Sequence, residues 1–244
     1  MANAAILVIG NEILSGRTQD ANVAFLGKEL AARGVTLSEV RIVRDDQAAI
    51  VAALDALRSS HTYVFTSGGI GPTHDDITSA AVAKAFGVAL ERDPEAVRRL
   101  QNRYGEGELN AARLKMAEIP AGAELVDNPI SQAPGFRLGN VFVMAGIPAI
   151  LRAMFEGIRH TLAEGPPQVS RSVTLTVREG DLAEGLGRIQ DRHPEVDVGS
   201  YPSFTDGRSL VTIVARGTDP GRLDSVMSET RALAAELGAA VAEG

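Results

Sequence analysis

The sequence contains no cysteine and no tryptophan, and only 4% of its 244 residues are aromatic. The lack of cysteine excludes disulfides, thiolate metal sites, iron–sulfur clusters and a cysteine nucleophile. Basic residues are also scarce, because 24 Lys and Arg stand against 31 Asp and Glu, which gives a formal net charge of -7. Phosphate neutralisation needs clustered Lys and Arg, so we expect neither nucleic acid nor an anionic membrane surface as a partner.

Long apolar runs are absent as well. The longest lies at 141–151 and is interrupted by Gly146 and Pro148, so it is too short and too broken to span a bilayer. The N-terminus lacks a basic stretch followed by a long apolar run, and no signal peptide is visible. These absences predict a cytoplasmic protein without membrane association.

What the sequence does contain is an alternation of apolar strands and amphipathic helices. The continuously apolar run at 4–9 is typical of a strand buried on both faces, and helical spacing follows at 20–33 and again at 77–86. Strands that alternate with helices predict an α/β fold with a mostly parallel sheet, covered by helices on both faces.

The clearest break in the chain is Gly165-Pro166-Pro167, which we take as a domain boundary. We therefore expect one α/β domain at 1–165 and a small α+β domain at 168–244. The pattern of the second domain predicts the order β-α-β-β-α, with a last helix that begins at Asp219-Pro220.

The candidate site lies directly after the predicted strands, because ligands of open parallel sheets bind at the carboxyl ends of the strands. The most specific signal is TSGGIGPTHDDIT at 66–78, where three glycines follow a strand and lead into a helix. Backbone N–H groups of such a loop can face a phosphate. The alternative is a tight turn in which Asp75 or Asp76 caps the helix, although one glycine and one aspartate are enough for such a turn. The loop is not a P-loop, and the chain contains no G-x-G-x-x-G.

Two carboxylates in this loop raise a charge problem, because the loop has no Lys or Arg and Asp75 and Asp76 would repel a phosphate. A divalent cation that bridges carboxylate and phosphate oxygens relieves the repulsion. Three other places follow strands: 10–16 with Glu12, the pair at 45–46, and 128–136 with 145–148. Taken singly, Glu12 fits a solvated loop charge, the pair at 45–46 fits a helix cap, and the segments at 128–136 and 145–148 fit ordinary turns. For Asp45 both capping and a functional role stay open.

The residues GNEILSG at 10–16 with Asn22, the loop at 66–78 and APGF at 133–136 resemble the molybdopterin-binding-like domain family. The similarity is greatest to the competence/damage-inducible protein A type, and the equivalent domain of FAD synthases is similar. It covers about 4–162 and implies a three-layer α/β/α fold. The segment after Pro167 resembles the small KH-like domain that follows in that family.

The resemblance implies a metal-dependent pyrophosphatase that hydrolyses a diphosphate-linked nucleotide such as ADP-ribose or FAD. The implied metal is Mg, Mn or Co, with K+ as a further ion. One alternative is a molybdopterin adenylyltransferase of molybdenum cofactor biosynthesis, a group that usually carries arginine where Asp75 stands. Another is a non-catalytic nucleotide or pterin sensor. Full-length competence proteins continue into a deamidase domain that this sequence lacks, so no deamidase activity is expected.

Residues and resemblance together predict the members of the site. The catalytic set is Asp76, Asp45, Asp75 and His74, and the metal ligands are Glu12, Asp45 and Asp76. The remaining set binds phosphate or ligand and consists of Gly10, Asn11, Asn22, Ser67, Gly68, Gly69, Gly71, Thr73, Thr78, Ser131, Ala133, Pro134, Gly135, Gly146 and Pro148. In this prediction Gly68, Gly69 and Gly71 present N–H groups to the diphosphate, and Asp75 or His74 orients the attacking water.

Two departures from the family pattern fall in the expected pocket. The usual glycine before APGF is replaced near Ser131, and the usual Pro-Gly-Val-Pro reads AGIP at 145–148. Both bear on the identity of the ligand rather than on the fold. The predicted partner is thus a small-molecule nucleotide or pterin. The C-terminal domain is expected to serve packing in a homo-oligomer, with a dimer favoured.

Overall fold

The computed structural model describes residues 2–105, 107–205 and 207–242. The chain divides into two compact units, Met1–Gly165 and Pro166–Gly244. In the described ranges, no helix has both the length and the apolar character needed to cross a membrane.

The first unit is built around a six-stranded sheet. The strands of the unit are β1 (Asn3–Ile9), β2 (Thr36–Val43), β3 (Tyr63–Ser67), β4 (Leu90–Arg92), β5 (Glu118–Pro120), β6 (Glu124–Val126), β7 (Gly135–Leu138) and β8 (Val141–Met144), of which β4 and β5 lie outside this sheet. Its helices are α1 (Asn11–Leu14), α2 (Asn22–Ala32), α3 (Gln47–Ser60), α4 (Thr78–Phe86), α5 (Pro94–Tyr104), α6 (Ala111–Lys115) and α7 (Pro148–Ile158), and a 3-10 turn follows at Arg159–Thr161.

The strand order of this sheet is β2-β1-β3-β8-β7-β6. The first four strands are parallel to one another, and β7 and β6 run antiparallel to their neighbours. The expected mostly parallel sheet is therefore confirmed. β4 and β5 form a separate two-stranded antiparallel ribbon that the sequence did not predict.

The two faces of the sheet carry separate apolar layers, because successive side chains of a strand point to opposite faces. Leu7 of β1 lies in one buried cluster with Leu54 of α3. Its neighbour Ile6 lies in another with Leu26 of α2 and Met154 of α7. Helices thus cover both faces, which is the expected three-layer α/β/α arrangement.

Aspartates start two of the helices in this unit. The side chain of Asp46 accepts the N–H of Ala49 at the start of α3, and that of Asp93 accepts the N–H of Ala96 at the start of α5. At α4 the capping alternative is wrong, because Ile77 is the N-cap residue and no side chain caps the helix. The carboxylates of the preceding loop are therefore available for another purpose.

The second unit contains β9 (Val169–Thr176), α8 (Glu179–Arg192), β10 (Asp197–Thr205), β11 (Arg208–Gly217), α9 (Pro220–Glu236) and β12 (Ala240–Val241). Its antiparallel sheet has the order β10-β11-β9-β12. One apolar cluster joins the sheet to both helices, with Leu175, Ile213, Leu182 and Val226 among its members. The predicted order of elements is present, and β12 is an addition.

Candidate functional site

A cavity of about 600 Å³ lies at the carboxyl ends of the four parallel strands. Glu12 follows β1, Asp45 follows β2, Asp76 follows β3 and Gly146 follows β8, and all four line this cavity. Parallel strands end at one edge of their sheet, which is where α/β folds bind ligands. The four places singled out in the sequence therefore meet in one cavity.

Two glycines give the loop after β3 its path. Gly68 has φ of 106°, and a Cβ there would lie 2.3 Å from the carbonyl oxygen of Ile9. Gly69 has φ of 71°, and its Cβ would lie 2.1 Å from Oγ1 of Thr78. Thr78 is fully buried and donates its hydroxyl to Gly68 O and its N–H to Gly69 O, both across 3.0 Å. These contacts hold the loop backbone against the start of α4.

The N–H groups of the loop differ in their availability to a ligand. Gly68 donates its N–H to Met144 O at 3.2 Å, so its predicted role as a phosphate donor is wrong. The N–H groups of Gly69, Ile70 and Gly71 have no hydrogen-bond acceptor within the described residues. These three residues line the cavity and can face an anion.

Thr73 holds both carboxylates of the loop. Oδ2 of Asp76 accepts the N–H of Thr73 at 2.8 Å and its hydroxyl at 2.5 Å, and Oδ1 of Asp75 accepts the same hydroxyl at 2.6 Å. The hydrogen bond from Thr73 lowers the pKa of Asp75, and its own backbone N–H, His74 and Lys115 lower it further. Asp75 is therefore an ionised group at the cavity at neutral pH.

Asp45 contacts the segment after β1, whereas Glu12 folds over its own loop. Oδ2 of Asp45 accepts the N–H of Asn11 at 2.9 Å, which links the ends of β2 and β1. Because Asp46 alone caps α3, the structure assigns Asp45 to the cavity rather than to the helix. The carboxylate of Glu12 folds back over Gly10, where an added Cβ would lie 2.5 Å from Oε1 of Glu12.

Asn22 is buried beneath the cavity at 3% exposure. Its Nδ2 donates to Ser67 Oγ and to Gly146 O, both across 2.8 Å. Its Oδ1 is buried and has no hydrogen-bond partner among the described residues. Asn22 therefore joins the start of α2 to the ends of β3 and β8.

Some predicted site residues lie outside the cavity wall. The side chain of His74 is 97% exposed to solvent and does not line the cavity. Gly135 is packed within the sheet, where a Cβ would lie 2.1 Å from Val143 O. The other predicted residues that do not line the cavity are Asn11, Ser67, Thr78 and Pro134, whereas the remaining members of the predicted set do line it.

The predicted metal ligands share a cavity but not a compact cluster. In the described part of the chain, no group of three or more His, Cys, Asp or Glu side chains is placed to hold a metal ion. The donor types nevertheless fit a hard cation, because Mg²⁺ commonly uses one or two carboxylates together with substrate phosphates. Within the described residues, Oδ1 of Asp45 and Oδ1 of Asp76 accept no hydrogen bond. None of the described lining residues is Lys or Arg, so no lysine or arginine of this lining offsets the charge of an anionic ligand.

Several lining residues were not predicted from the sequence. The segment between α1 and α2, the end of α5 and the residue after α6 contribute Thr18, Gln19, Asp20, Tyr104 and Met116. The guanidinium carbon of Arg113 lies 4.3 Å from the ring centroid of Tyr104. Tyr104 thus lines part of the cavity, and only the tertiary fold brings it there.

Two family models match the chain. Residues 5–164 match the model described as a probable molybdopterin binding domain, and residues 167–241 match that of the FAD synthase middle domain. A CinA-like protein of Syntrophus aciditrophicus is 36% identical over 222 residues, which cover 85% of this chain. The chain spans 53% of that relative's length. Protein Ta0487 of Thermoplasma acidophilum is 30% identical over 245 residues, which cover 97% of this chain and 96% of that protein.

A solved structure agrees with these matches. The crystal structure of the protein CinA from Thermoplasma acidophilum, described as of unknown function, superposes with a TM-score of 0.62 and 35% identity. The superposition covers 65% of this chain and 96% of that chain. The chain therefore belongs to the CinA-type family of probable molybdopterin binding domains. The resemblance inferred from the loop at 66–78 and its companions is confirmed.

Proposed function

We propose that the chain is a metal-dependent nucleotide pyrophosphatase that hydrolyses a diphosphate-linked nucleotide such as ADP-ribose or FAD. The observation that carries the proposal is the meeting of a glycine loop with the carboxylates of Glu12, Asp45, Asp75 and Asp76 in one cavity. A volume of about 600 Å³ is within the usual range for small-molecule sites. The match of residues 167–241 to the FAD synthase middle domain supports a nucleotide of this kind.

The reaction consumes one water molecule. The water oxygen bonds to one phosphorus while the bond from that same phosphorus to the bridging oxygen breaks. The bridging oxygen leaves on the other phosphate, and the two protons of the water pass to the product phosphates or to solvent. FAD gives AMP and FMN, and ADP-ribose gives AMP and ribose 5-phosphate. In our proposal the N–H groups of Gly69, Ile70 and Gly71 bind the diphosphate oxygens, where they stabilise developing charge.

In the proposal, one carboxylate orients the attacking water and the others bind the cation. Asp75 is ionised and orients the attacking water, a role that His74 does not fill because its side chain points to solvent. Asp45 and Asp76, with Glu12, hold the divalent cation together with the substrate phosphates. The bound cation, Mg, Mn or Co, supplies charge neutralisation and lowers the pKa of water. Potassium is a further ion of the proposal.

The test is a hydrolysis assay on a panel of ADP-ribose, FAD, NAD and ATP. Each substrate is incubated with Mg²⁺, Mn²⁺ or Co²⁺, with and without K+, and AMP is measured by chromatography. We expect metal-dependent AMP from one diphosphate-linked substrate. If no condition yields AMP from any of the four, the proposal is wrong.

A second candidate is a molybdopterin-binding protein or adenylyltransferase. The match of residues 5–164 to a probable molybdopterin binding domain favours it. Asp75 opposes it, because the resemblance implies an arginine at this position in molybdopterin adenylyltransferases. Release of pyrophosphate from ATP upon addition of molybdopterin would support this candidate.

A third candidate is a non-catalytic nucleotide or pterin sensor. It is favoured by the finding that no three carboxylates form a metal-holding group in the described part of the chain. Calorimetry would support it if AMP-containing ligands bind tightly while metal ions produce no turnover. A homodimer and a cytoplasmic location complete the proposal, and light scattering of the purified chain tests the first of them.

A further inference from the structure

Lys115, the last residue of α6, contacts the loop that carries the two aspartates. Its Nζ donates to the carbonyl oxygen of Thr73 at 2.5 Å. The same carbonyl accepts the N–H of Asp76 through a longer bond of 3.3 Å. Thr73 in turn donates to both carboxylates. A cationic side chain therefore fixes the residue on which the positions of Asp75 and Asp76 depend.

Lys115 lies beside a small cavity that is separate from the ligand cavity. A second, small cavity of about 50 Å³ is lined by Lys115 and Glu118 together with Gly71 and Asp76 of the loop. Gly71 and Asp76 also line the large cavity, whereas Lys115 does not. Lys115 therefore contacts the loop without lining the ligand cavity, which distinguishes it from a phosphate-binding residue.

The helix that carries Lys115 is itself held in place. Asn110 caps α6 by accepting the N–H of Arg113 at 2.9 Å. The guanidinium of Arg113 packs over the ring of Tyr104 at the end of α5. The lysine therefore extends from an anchored segment and can transmit that rigidity to the loop.

We propose that Lys115 is a positioning residue, which holds Thr73 and through it the carboxylates of Asp75 and Asp76 in their working positions. Its catalytic consequence rests on the proposed pyrophosphatase function, while the contact itself does not. The part of the loop at Gly68 and Gly69 is anchored separately, by Met144 O and by Thr78. Loss of the lysine should therefore disturb the carboxylates and leave the backbone at Gly68 and Gly69 in place.

The experiment compares Lys115→Met, Lys115→Arg and Lys84→Met with the unchanged chain. Lys84 lies on α4, is exposed and donates its Nζ to Gln47 Oε1 at 3.3 Å, so its replacement removes the same charge elsewhere. The first readout is hydrogen exchange of the peptide at 70–77 without any ligand. We expect faster exchange there in Lys115→Met only, with the peptide at 78–86 unchanged.

The second readout is the steady-state hydrolysis of ADP-ribose and of FAD. Misplacement of a catalytic group by about 1 Å costs roughly 10²-fold in rate, so kcat of Lys115→Met should fall by about that factor while KM stays unchanged. Lys115→Arg should restore most of kcat, because a guanidinium can also donate to Thr73 O. A long-range charge effect would instead raise KM and leave kcat unchanged.

The two readouts separate the two proposals. If the unchanged chain hydrolyses no diphosphate, the proposed function fails, and the exchange experiment still decides the role of Lys115. Equal exchange at 70–77 in all four proteins would overturn the positioning role, as would a rise in KM without loss of kcat.

Discussion

Asn22 donates its side-chain amide to the hydroxyl of Ser67 across 2.8 Å, in the buried layer beneath the cavity. The same amide nitrogen donates to Gly146 O at 2.8 Å. One side chain from the start of α2 therefore links the two strands whose following loops form the cavity floor. The site depends on this buried polar link as well as on the carboxylates above it.

Asn22→Ala should lower the free energy of unfolding by about 2 kcal/mol, because Gly146 O and the Ser67 hydroxyl lose a buried partner. Urea unfolding measures the difference. Asn102→Ala is the control, since Asn102 is exposed on α5 and its change should be neutral. Equal stability of the Asn22 variant and the unchanged chain would show that the link contributes little.

Gly69→Ala should destabilise the chain more than Gly87→Ala. Both glycines have positive φ, 71° and 66°, so both substitutions strain the backbone by about 1–2 kcal/mol. Only at Gly69 does the new methyl meet another atom, Oγ1 of Thr78, and such overpacking adds about 1–3 kcal/mol. Thermal and urea unfolding of the two variants test the difference. Equal losses would contradict the described packing of the loop.

The C-terminal unit should lose stability in acid through Glu229. Its carboxylate accepts a hydrogen bond from the buried His193 at 2.8 Å and pairs with Arg192, and these contacts lower its pKa. Since the folded state binds this proton less tightly than the unfolded chain, the contribution is present above the ordinary pKa of 4.5 and is lost as pH falls below it.

Glu229→Gln should remove this part of the pH dependence. Unfolding free energies at pH 6 and at about pH 3 give the comparison, with Asp224→Asn as a control because Asp224 forms an exposed pair with Arg171. The unchanged chain should lose more stability between the two pH values than the Glu229 variant. Parallel losses in the two proteins would be inconsistent with the lowered pKa.

Tyr104→Ala should weaken binding of a nucleotide whose ring reaches the side chain of Tyr104. Stacking on an aromatic side chain contributes about 1–3 kcal/mol per base, so we expect roughly a tenfold or larger rise in Kd for FAD. Calorimetry measures it. The control is Tyr201→Ala, an exposed tyrosine of the second unit that also lies near an arginine, Arg216. An unchanged Kd would mean that the ligand does not reach Tyr104.

Local signals predicted most of the elements. The apolar run at 4–9 is β1, and the aspartates Asp46 and Asp219 cap α3 and α9. The four-residue helix α1 and the ribbon of β4 and β5 were not predicted. All three residues of β4 are exposed, so the strand lacks the alternation of buried and exposed side chains that a sequence pattern can indicate. Its strand conformation depends on pairing with β5.

The sequence predicted which residues follow the strands and therefore meet at the site. The positions of Glu12, Asp45 and Asp76 follow from parallel strands that end at one edge. The directions of their side chains do not follow from sequence, because they depend on hydrogen bonds such as those of Asp76 with Thr73. Tyr104, at the end of α5, comes from a different segment, and no local pattern marks it as a lining residue.

The central claim is that a diphosphate is hydrolysed in the cavity lined by the carboxylates. Its most direct test is to measure AMP formation by Asp76→Asn. AMP is measured with ADP-ribose and with FAD, in the presence of Mg²⁺, Mn²⁺ or Co²⁺, and the unchanged chain and Glu91→Gln are assayed in parallel. Glu91 is an exposed residue of β4 that does not line the cavity. We predict metal-dependent AMP from the unchanged chain and from Glu91→Gln, and none from Asp76→Asn. AMP formed equally fast by the Asp76 variant would contradict the proposal.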